Sequence, residues 1–333
     1  MTRPAMTRPA MTRPAMTRPA MTPRAMTPPA MTRPEMAWRV RRGVVAAAVA
    51  VVTLAGALTA CTVRAQPAPV SYYLALGDSL SRGVQPDASG VSVETAQGYP
   101  NLLYAALAGT HPGLKLVQLG CPGETTKTMM DGGICRYQGG SQLAAADAFL
   151  RAHRGQMLLV TIDIGANDPE SCGSQPSLTQ LGTCISEIPQ GAANLATILG
   201  RIRAAAGSGV RIIGMNYYLP ALAEWRNGYL GHLVAQAGEK LTAGFNDLLD
   251  QAYGKAGDTV ANVSGAFDTG NFGDPVSVPG FGSLPRNVAR VCQWTWECAS
   301  APRGPNQHAN AAGYQVIANT MLKLAAPVPA SQG

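Results

Sequence analysis

Acidic side chains are scarce in this chain, and where they are missing matters more than how few they are. Asp and Glu total 19 in 333 residues, and none lies between Ser300 and Leu322, the stretch that contains His308. Cysteines never occur as CxxC, and the four histidines, His111, His153, His232 and His308, are scattered, which argues against a zinc site. GxSxG, P-loop, HExxH and dinucleotide-binding glycine patterns are all missing, so elbow-type hydrolases, NTPases, zinc proteases and nucleotide-dependent dehydrogenases lack their signatures. No apolar run reaches the roughly 20 residues that a membrane-spanning helix needs. The formal charge of +7 is an N-terminal property. Without the nine Arg and one Glu of the first 60 residues, totals of 26 basic and 19 acidic fall to 17 and 18. The remainder lacks the basic surface that nucleic-acid binding requires.

The first 35 residues are seven pentads, four copies of MTRPA followed by MTPRA, MTPPA and MTRPE. Proline in every unit and little apolar content leave nothing to bury. Residues 1–35 are therefore expected to be disordered, or untranslated if Met36 is the true initiator. From Met36 the pattern changes. Arg39, Arg41 and Arg42 precede an apolar core from Val44 to Leu58, and the run ends in LTAC at Cys61. That reads as a signal peptide over 36–60, and LTAC resembles a bacterial lipobox in which Cys61 is lipidated. The alternative is ordinary cleavage after Ala65, which releases the protein. Arg41-Arg42 leaves twin-arginine export open beside the general route. Either way the domain is expected outside the cytoplasm, anchored to the cell membrane through Cys61 or secreted, with 61–71 as a tether.

Six further cysteines in an exported chain suggest three disulfides, and their clustering favours 121–135, 172–184 and 292–298. Strand signals occur at SYYLAL (71–76), LKLVQLG, QMLLVTIDIG, VRIIGMNY and DTVANVSG. Helical spacing occurs at YPNLLYAALAGT, SQLAAADAFLRAHR, GAANLATILGRIRAAAG, about Tyr229 to Ala256, and Ala311 to Leu322. The alternation predicts an α/β fold with a mostly parallel sheet covered on both faces. Glycine-rich TGNFGDPVSVPGFGSLP is expected to be a long irregular loop.

Ligands in such sheets bind beyond the carboxyl ends of the strands. After the first predicted strand comes GDSL with Ser79, after the second CPGETT with Gly123, and after the third GAND with Asn167. Together they offer a hydroxyl, backbone N–H groups and a side-chain amide, the inventory of acyl transfer. Ser79 would attack and His308 would take and return the proton. The oxyanion would rest on the N–H groups of Ser79 and Gly123 and on the Asn167 amide. Taken singly, each residue has a plainer reading: Ser79 as a helix cap, Gly123 as a turn residue, Asn167 as a loop cap, His308 as a surface side chain. His111, His153 and His232 lack any motif and read as surface or packing residues.

GDSL at 77–80, Gly123 in CPGETT, GAND at 165–168 and His308 before ANAAGY, in that order, resemble the SGNH (GDSL) hydrolases. The resemblance implies a flavodoxin-like three-layer α/β/α sandwich on a mostly parallel five-stranded sheet, here over 72–327 with 328–333 as a tail. It carries Ser79, Gly123, Asn167 and His308 over as functional positions and implies a monomer that hydrolyses carboxylic or lipid esters without metal or cofactor. An acylated envelope polysaccharide is the second substrate class, and a ligand-binding surface lipoprotein without catalysis the competing function. The family's Asp, three residues before the histidine, is replaced here by Pro305. His308 then needs another acceptor for its Nδ1–H: the Pro305 main-chain carbonyl, the favoured one, the Asn306 side chain, or a distant Asp268 or Asp274. Secreted actinobacterial members that the chain resembles include dyads supported by a carbonyl. In CQWTWEC (292–298), Trp294 and Trp296 either form an apolar rim for an acyl chain or pack beneath the histidine loop.

Overall fold

The computed structural model describes residues 68–168 and 178–325, with side chains except over 178–187. The pentads, the leader, Cys61, most of the tether, the C-terminal tail, Cys172 and the side chain of Cys184, and with them the expected 172–184 pair, lie outside what is described.

The chain opens with β1 (Ser71–Gly77), a small hairpin of β2 (Gln85–Pro86) and β3 (Ser92–Val93), α1 (Tyr99–Ala108) and β4 (Leu114–Gln118). Then come α2 (Thr126–Asp131), α3 (Gln142–Ala152), β5 (Met157–Asp163), α4 (Leu178–Ala206) and β6 (Arg211–Met215). A 3-10 segment (Pro220–Asn227) leads into α5 (Gly228–Lys255), β7 (Thr259–Ala261) and the single turn α6 (Val263–Ala266). The hairpin β8 (Val276–Val278) and β9 (Gly282–Leu284), α7 (Arg286–Trp294) and α8 (Ala311–Ala325) complete it.

Five strands form one sheet in the order β4-β1-β5-β6-β7, with every neighbouring pair parallel. This is the mostly parallel five-stranded α/β fold that the sequence implied. Helices on both faces explain why the strands read as unbroken apolar runs: Tyr73, Leu74, Ala75 and Leu76 of β1 are all 0% exposed. The chain leaves β1 for β4 on one side and returns past it to β5 on the other. The ends of β1, β4 and β5 therefore meet at a switch point, where such sheets hold their ligands. Helix starts follow local chemistry. Ser141 accepts from Ala144 N ahead of α3, and Thr125 and Thr128 form a reciprocal capping box that starts the short α2.

The structure departs from the sequence reading in several places. The last predicted strand stops at Ala261, because the Asn262 side chain caps α6 instead. The glycine-rich stretch expected to be irregular contains the β8–β9 hairpin. That hairpin, α7, the 3-10 segment and the first half of α5 enclose a second small core around Leu222, Ala235, Val278, Leu284 and Val288. Helix α4 begins at Leu178, earlier than the periodicity indicated, and α7 was not predicted. Among the described residues, no helix is long and apolar enough to cross a membrane.

One contact between β6 and α5 is sterically strict. A Cβ on Gly214 would lie 2.1 Å from the ring of Tyr253, which is fully buried. Gly214→Ala should therefore overpack the core by about 1–3 kcal/mol. A lowered denaturant midpoint with unchanged m-value is the expected readout; an unchanged midpoint would show that the ring has room to shift.

Candidate active site

Ser79 follows β1 by two residues, in a turn closed by Arg82 N to Ser79 O at 3.2 Å and Val84 N to Ser79 O at 3.1 Å. Gly77 carries φ +129°, and a Cβ there would strike the backbone of Asp163, so the approach of this turn to β5 needs glycine. Beneath the turn lies Asp163, the last residue of β5 and 0% exposed. Its carboxylate accepts from Tyr99 Oη at 2.6 Å and from Ser81 N at 3.1 Å, and its carbonyl accepts from Asp78 N at 3.0 Å. Asp78 accepts from Leu80 N at 2.9 Å. Burial pushes the Asp163 carboxyl well above the usual range and that of Asp78 up to about 6.

Two more loops meet this turn. Gly123 takes φ +82° in the turn after β4, a left-handed conformation that a side chain would strain. Gln142 of α3 ties that loop to β1: its amide exchanges bonds with Gly77 N at 2.7 Å and Gly77 O at 2.9 Å, and reaches Glu124 Oε2 at 3.1 Å. After β5, the Asn167 amide donates to Glu124 O at 3.0 Å. Its neighbour Asp168 accepts from Thr126 N at 2.6 Å and Thr126 Oγ1 at 2.8 Å. The loops after β4 and β5 are thus fastened to each other as well as to the sheet.

His308 arrives on a loop gripped largely by main chain. His308 O accepts from Trp296 N at 3.0 Å, Trp294 O from Asn310 N at 2.9 Å, and Trp296 O from Asn306 N at 3.2 Å. The Cys292–Cys298 disulfide closes the gripping segment. The two tryptophans are half-buried. Trp294 packs edge-on to Phe267 at 5.1 Å, and Trp296 Nε1 donates to Gln85 Oε1 at 3.2 Å. Of the two sequence readings, packing beneath the loop is the one found.

Ser79, Gly123, Asn167 and His308 line one cavity of about 280 Å³. His308 Nε2 lies 3.0 Å from Ser79 Oγ, and burial lowers the imidazole pKa to about 4, which keeps the ring neutral at ordinary pH. At the other ring nitrogen the structure corrects the sequence reading. Nδ1 meets the Asn306 side-chain oxygen at 2.8 Å, in the place assigned to the Pro305 carbonyl. The same oxygen accepts from His308 N at 3.1 Å, so an Asx turn over two residues sets it beside the ring. Asn306 Nδ2 donates to Ser92 Oγ at 3.1 Å, which fixes the amide with its oxygen toward the histidine. Asp268 and Asp274 pair instead with Arg290 at 3.4 Å and Arg286 at 3.7 Å. Of the remaining histidines, His153 packs on Tyr72 at 4.3 Å and His232 on Trp225 at 3.9 Å.

Sequence reasoning missed Asp163, Gln142 and the Asp168–Thr126 clamp. Asp163 had a usable signal: an acid closing the otherwise apolar run MLLVTID must be satisfied inside the fold. Gln142 had none, since Gly77, to which it is tied twice, lies 65 residues away in sequence.

The profile of the GDSL-like Lipase/Acylhydrolase family matches residues 75–316. Comparison with curated proteins gives no match. Among solved structures, the chain is similar to an extracellular lipase from Streptomyces rimosus, with 18% identity, 76% of this chain and 99% of that chain covered, and TM-score 0.47. It is also similar to an acetyl xylan esterase variant from Geobacillus stearothermophilus, with 15% identity, coverage of 78% and 97%, and TM-score 0.46. A third is a phospholipase A1 from Streptomyces albidoflavus, with 19% identity, coverage of 68% and 99%, and TM-score 0.37.

The Cys121–Cys135 bridge begins two residues before Gly123, and a loop of this length contributes roughly 3 kcal/mol in the chain-entropy model. Reduction should therefore loosen the turn after β4 before the sheet melts. In a dithiothreitol titration, ester hydrolysis is expected to fall at lower reductant than far-UV ellipticity; coincident midpoints would contradict this.

Proposed function

The chain belongs to the GDSL-like lipase/acylhydrolase family and is a carboxylic ester hydrolase, and from that premise we propose that it works as a serine esterase through an acyl-enzyme on Ser79. The observation that carries the reading is the 3.0 Å contact between Ser79 Oγ and a half-buried His308 Nε2. His308 accepts the Ser79 proton as the oxygen attacks the ester carbonyl, then delivers it to the departing alcohol. Water repeats the sequence in reverse to free the acid. Negative charge on the carbonyl oxygen is held by the N–H groups of Ser79 and Gly123 and by the Asn167 amide, donors fixed in advance by the loop contacts around them. Losing one such donor costs about 10²–10³ in turnover.

Asn306 accepts the Nδ1–H of His308 and so selects the tautomer whose Nε2 is free to take a proton. A neutral amide orients the ring but stabilises the imidazolium less than a carboxylate does. The lipobox-like LTAC and the disulfides support an exported protein, held at the membrane by a lipid on Cys61 or released.

Two experiments test the mechanism. Ser79→Ala should lower p-nitrophenyl acetate hydrolysis more than about a thousandfold and abolish fluorophosphonate labelling. Retained hydrolysis in the variant would remove Ser79 from the reaction. The second concerns pH. His308 must be neutral to act, so with its pKa near 4 the acid limb of kcat/KM should lie near pH 4. Asn306→Asp places a carboxylate against the ring and favours the imidazolium, so the limb should move to higher pH, by about one to three units. An unmoved limb would show that Asn306 does not contact the working imidazole.

A further inference from the structure

We propose that the alcohol side of this cavity is built for a polyhydroxylated alcohol, so that the substrate is a short-chain acyl ester of a sugar or polyol and Glu94 is the residue that selects it. The inference rests on the serine-esterase reading and narrows its substrate.

The mechanism fixes which side is which. His308 Nε2 must return a proton to the leaving alcohol, so the alcohol sits among the groups that flank the imidazole. Those groups are polar. Gln307 and Ser92 line the cavity with His308, Ser92 bonding to the Asn306 that holds the Nδ1 edge of the ring. Glu94, two residues beyond Ser92 as a shared face of extended chain requires, lines the same cavity. Val84 and Pro122 alone bring wholly apolar side chains to its wall.

These polar groups keep hydrogen-bonding capacity in reserve. Arg82 spends both its bonds to Glu94 on one oxygen, Nε at 3.0 Å and Nη2 at 2.5 Å to Oε2, which leaves Oε1 to accept from a ligand. Ser92 Oγ accepts from Asn306, so its own proton remains to be donated. The Gln307 side-chain amide makes no hydrogen bond among the described residues and offers both a donor and an acceptor. An acceptor, a donor and an amide around one leaving group match neighbouring hydroxyls, each of which donates and accepts. A site of this kind discriminates strongly against an alcohol that leaves such groups unpaired.

The same surroundings disfavour other esters. No Lys or Arg among the described residues lines the cavity, and Arg82 is held by Glu94 and by Gln118 O at 3.4 Å, so a phosphate head group would meet the Glu94 carboxylate without a lining cation to pair with. With Val84 and Pro122 as its only wholly apolar side chains, the wall of the cavity gives a long acyl chain little apolar surface to bury against. Trp294 and Trp296, the aromatic groups that would extend an apolar wall, do not line the cavity.

The test compares kcat/KM for 6-O-acetylglucose and butyl acetate, the same acyl group on two alcohols, using the oxidised protein. The sugar ester should be preferred by about tenfold or more. Glu94→Ala should cut that preference about tenfold, through KM for the sugar ester, and Glu94→Gln, which keeps an accepting oxygen, should restore part of it. Preference for butyl acetate or for longer acyl chains, no turnover of the sugar ester, or a Glu94→Ala loss shared equally by both esters would each overturn the proposal. Ser79→Ala run in parallel separates the two levels. Hydrolysis that vanishes in Ser79→Ala but favours the alkyl ester removes the substrate assignment alone, whereas hydrolysis that survives it removes the serine-esterase reading.

Discussion

The carboxyl of Asp163 is the contact on which the site's arrangement depends. It ends the central strand β5 and is wholly enclosed, yet it holds the turn after β1 through Ser81 N and braces Tyr99 of α1. A buried carboxyl left unpaired is among the most costly features a core can hold. The turn that carries Ser79 therefore has strong reason to keep the one geometry that satisfies it. Asp78 lies beside it with its own titration raised by burial, so two acids sit directly behind Ser79, and Asp78 hydrogen-bonds to the Ser79 side chain. Their part is to make the turn rigid.

From that anchor the rest follows in sequence. Gln142 carries the constraint from the end of β1 to the Gly123 loop, Asp168 carries it from the end of β5 to Thr126, and Asn167 closes the circuit on Glu124. Donors that stabilise developing charge are useful in proportion to how little they must reorganise. A ring of bonds spanning three loops supplies that stiffness while leaving each loop individually short.

The parallel strands were legible because burial on both faces writes them as apolar runs, and the blocks around Ser79, Gly123, Asn167 and His308 were legible because each follows a strand end or leads into a helix. What escaped the sequence was held by distant partners or by caps. Helix α2 is six residues long and owes its start to a Thr125–Thr128 box, and the β8–β9 hairpin is hidden among glycines that also suit a loop. The support of His308 was the instructive case. Chemistry demanded an acceptor at Nδ1 and narrowed it to a few groups, but the choice between the Pro305 carbonyl and the Asn306 amide depended on an Asx turn and on Ser92, 214 residues away in the chain.

The histidine loop is gripped at Trp294 and Trp296 by main-chain bonds from both partners, inside a segment closed by its own disulfide. An attachment of that kind is indifferent to the side chains it carries. Arg303 and Gln307, both exposed, can drift without shifting the register that delivers His308. The loop thereby separates two kinds of position: selection, natural or in the laboratory, can change its exposed side chains while the placing of His308 beside Ser79 is inherited intact.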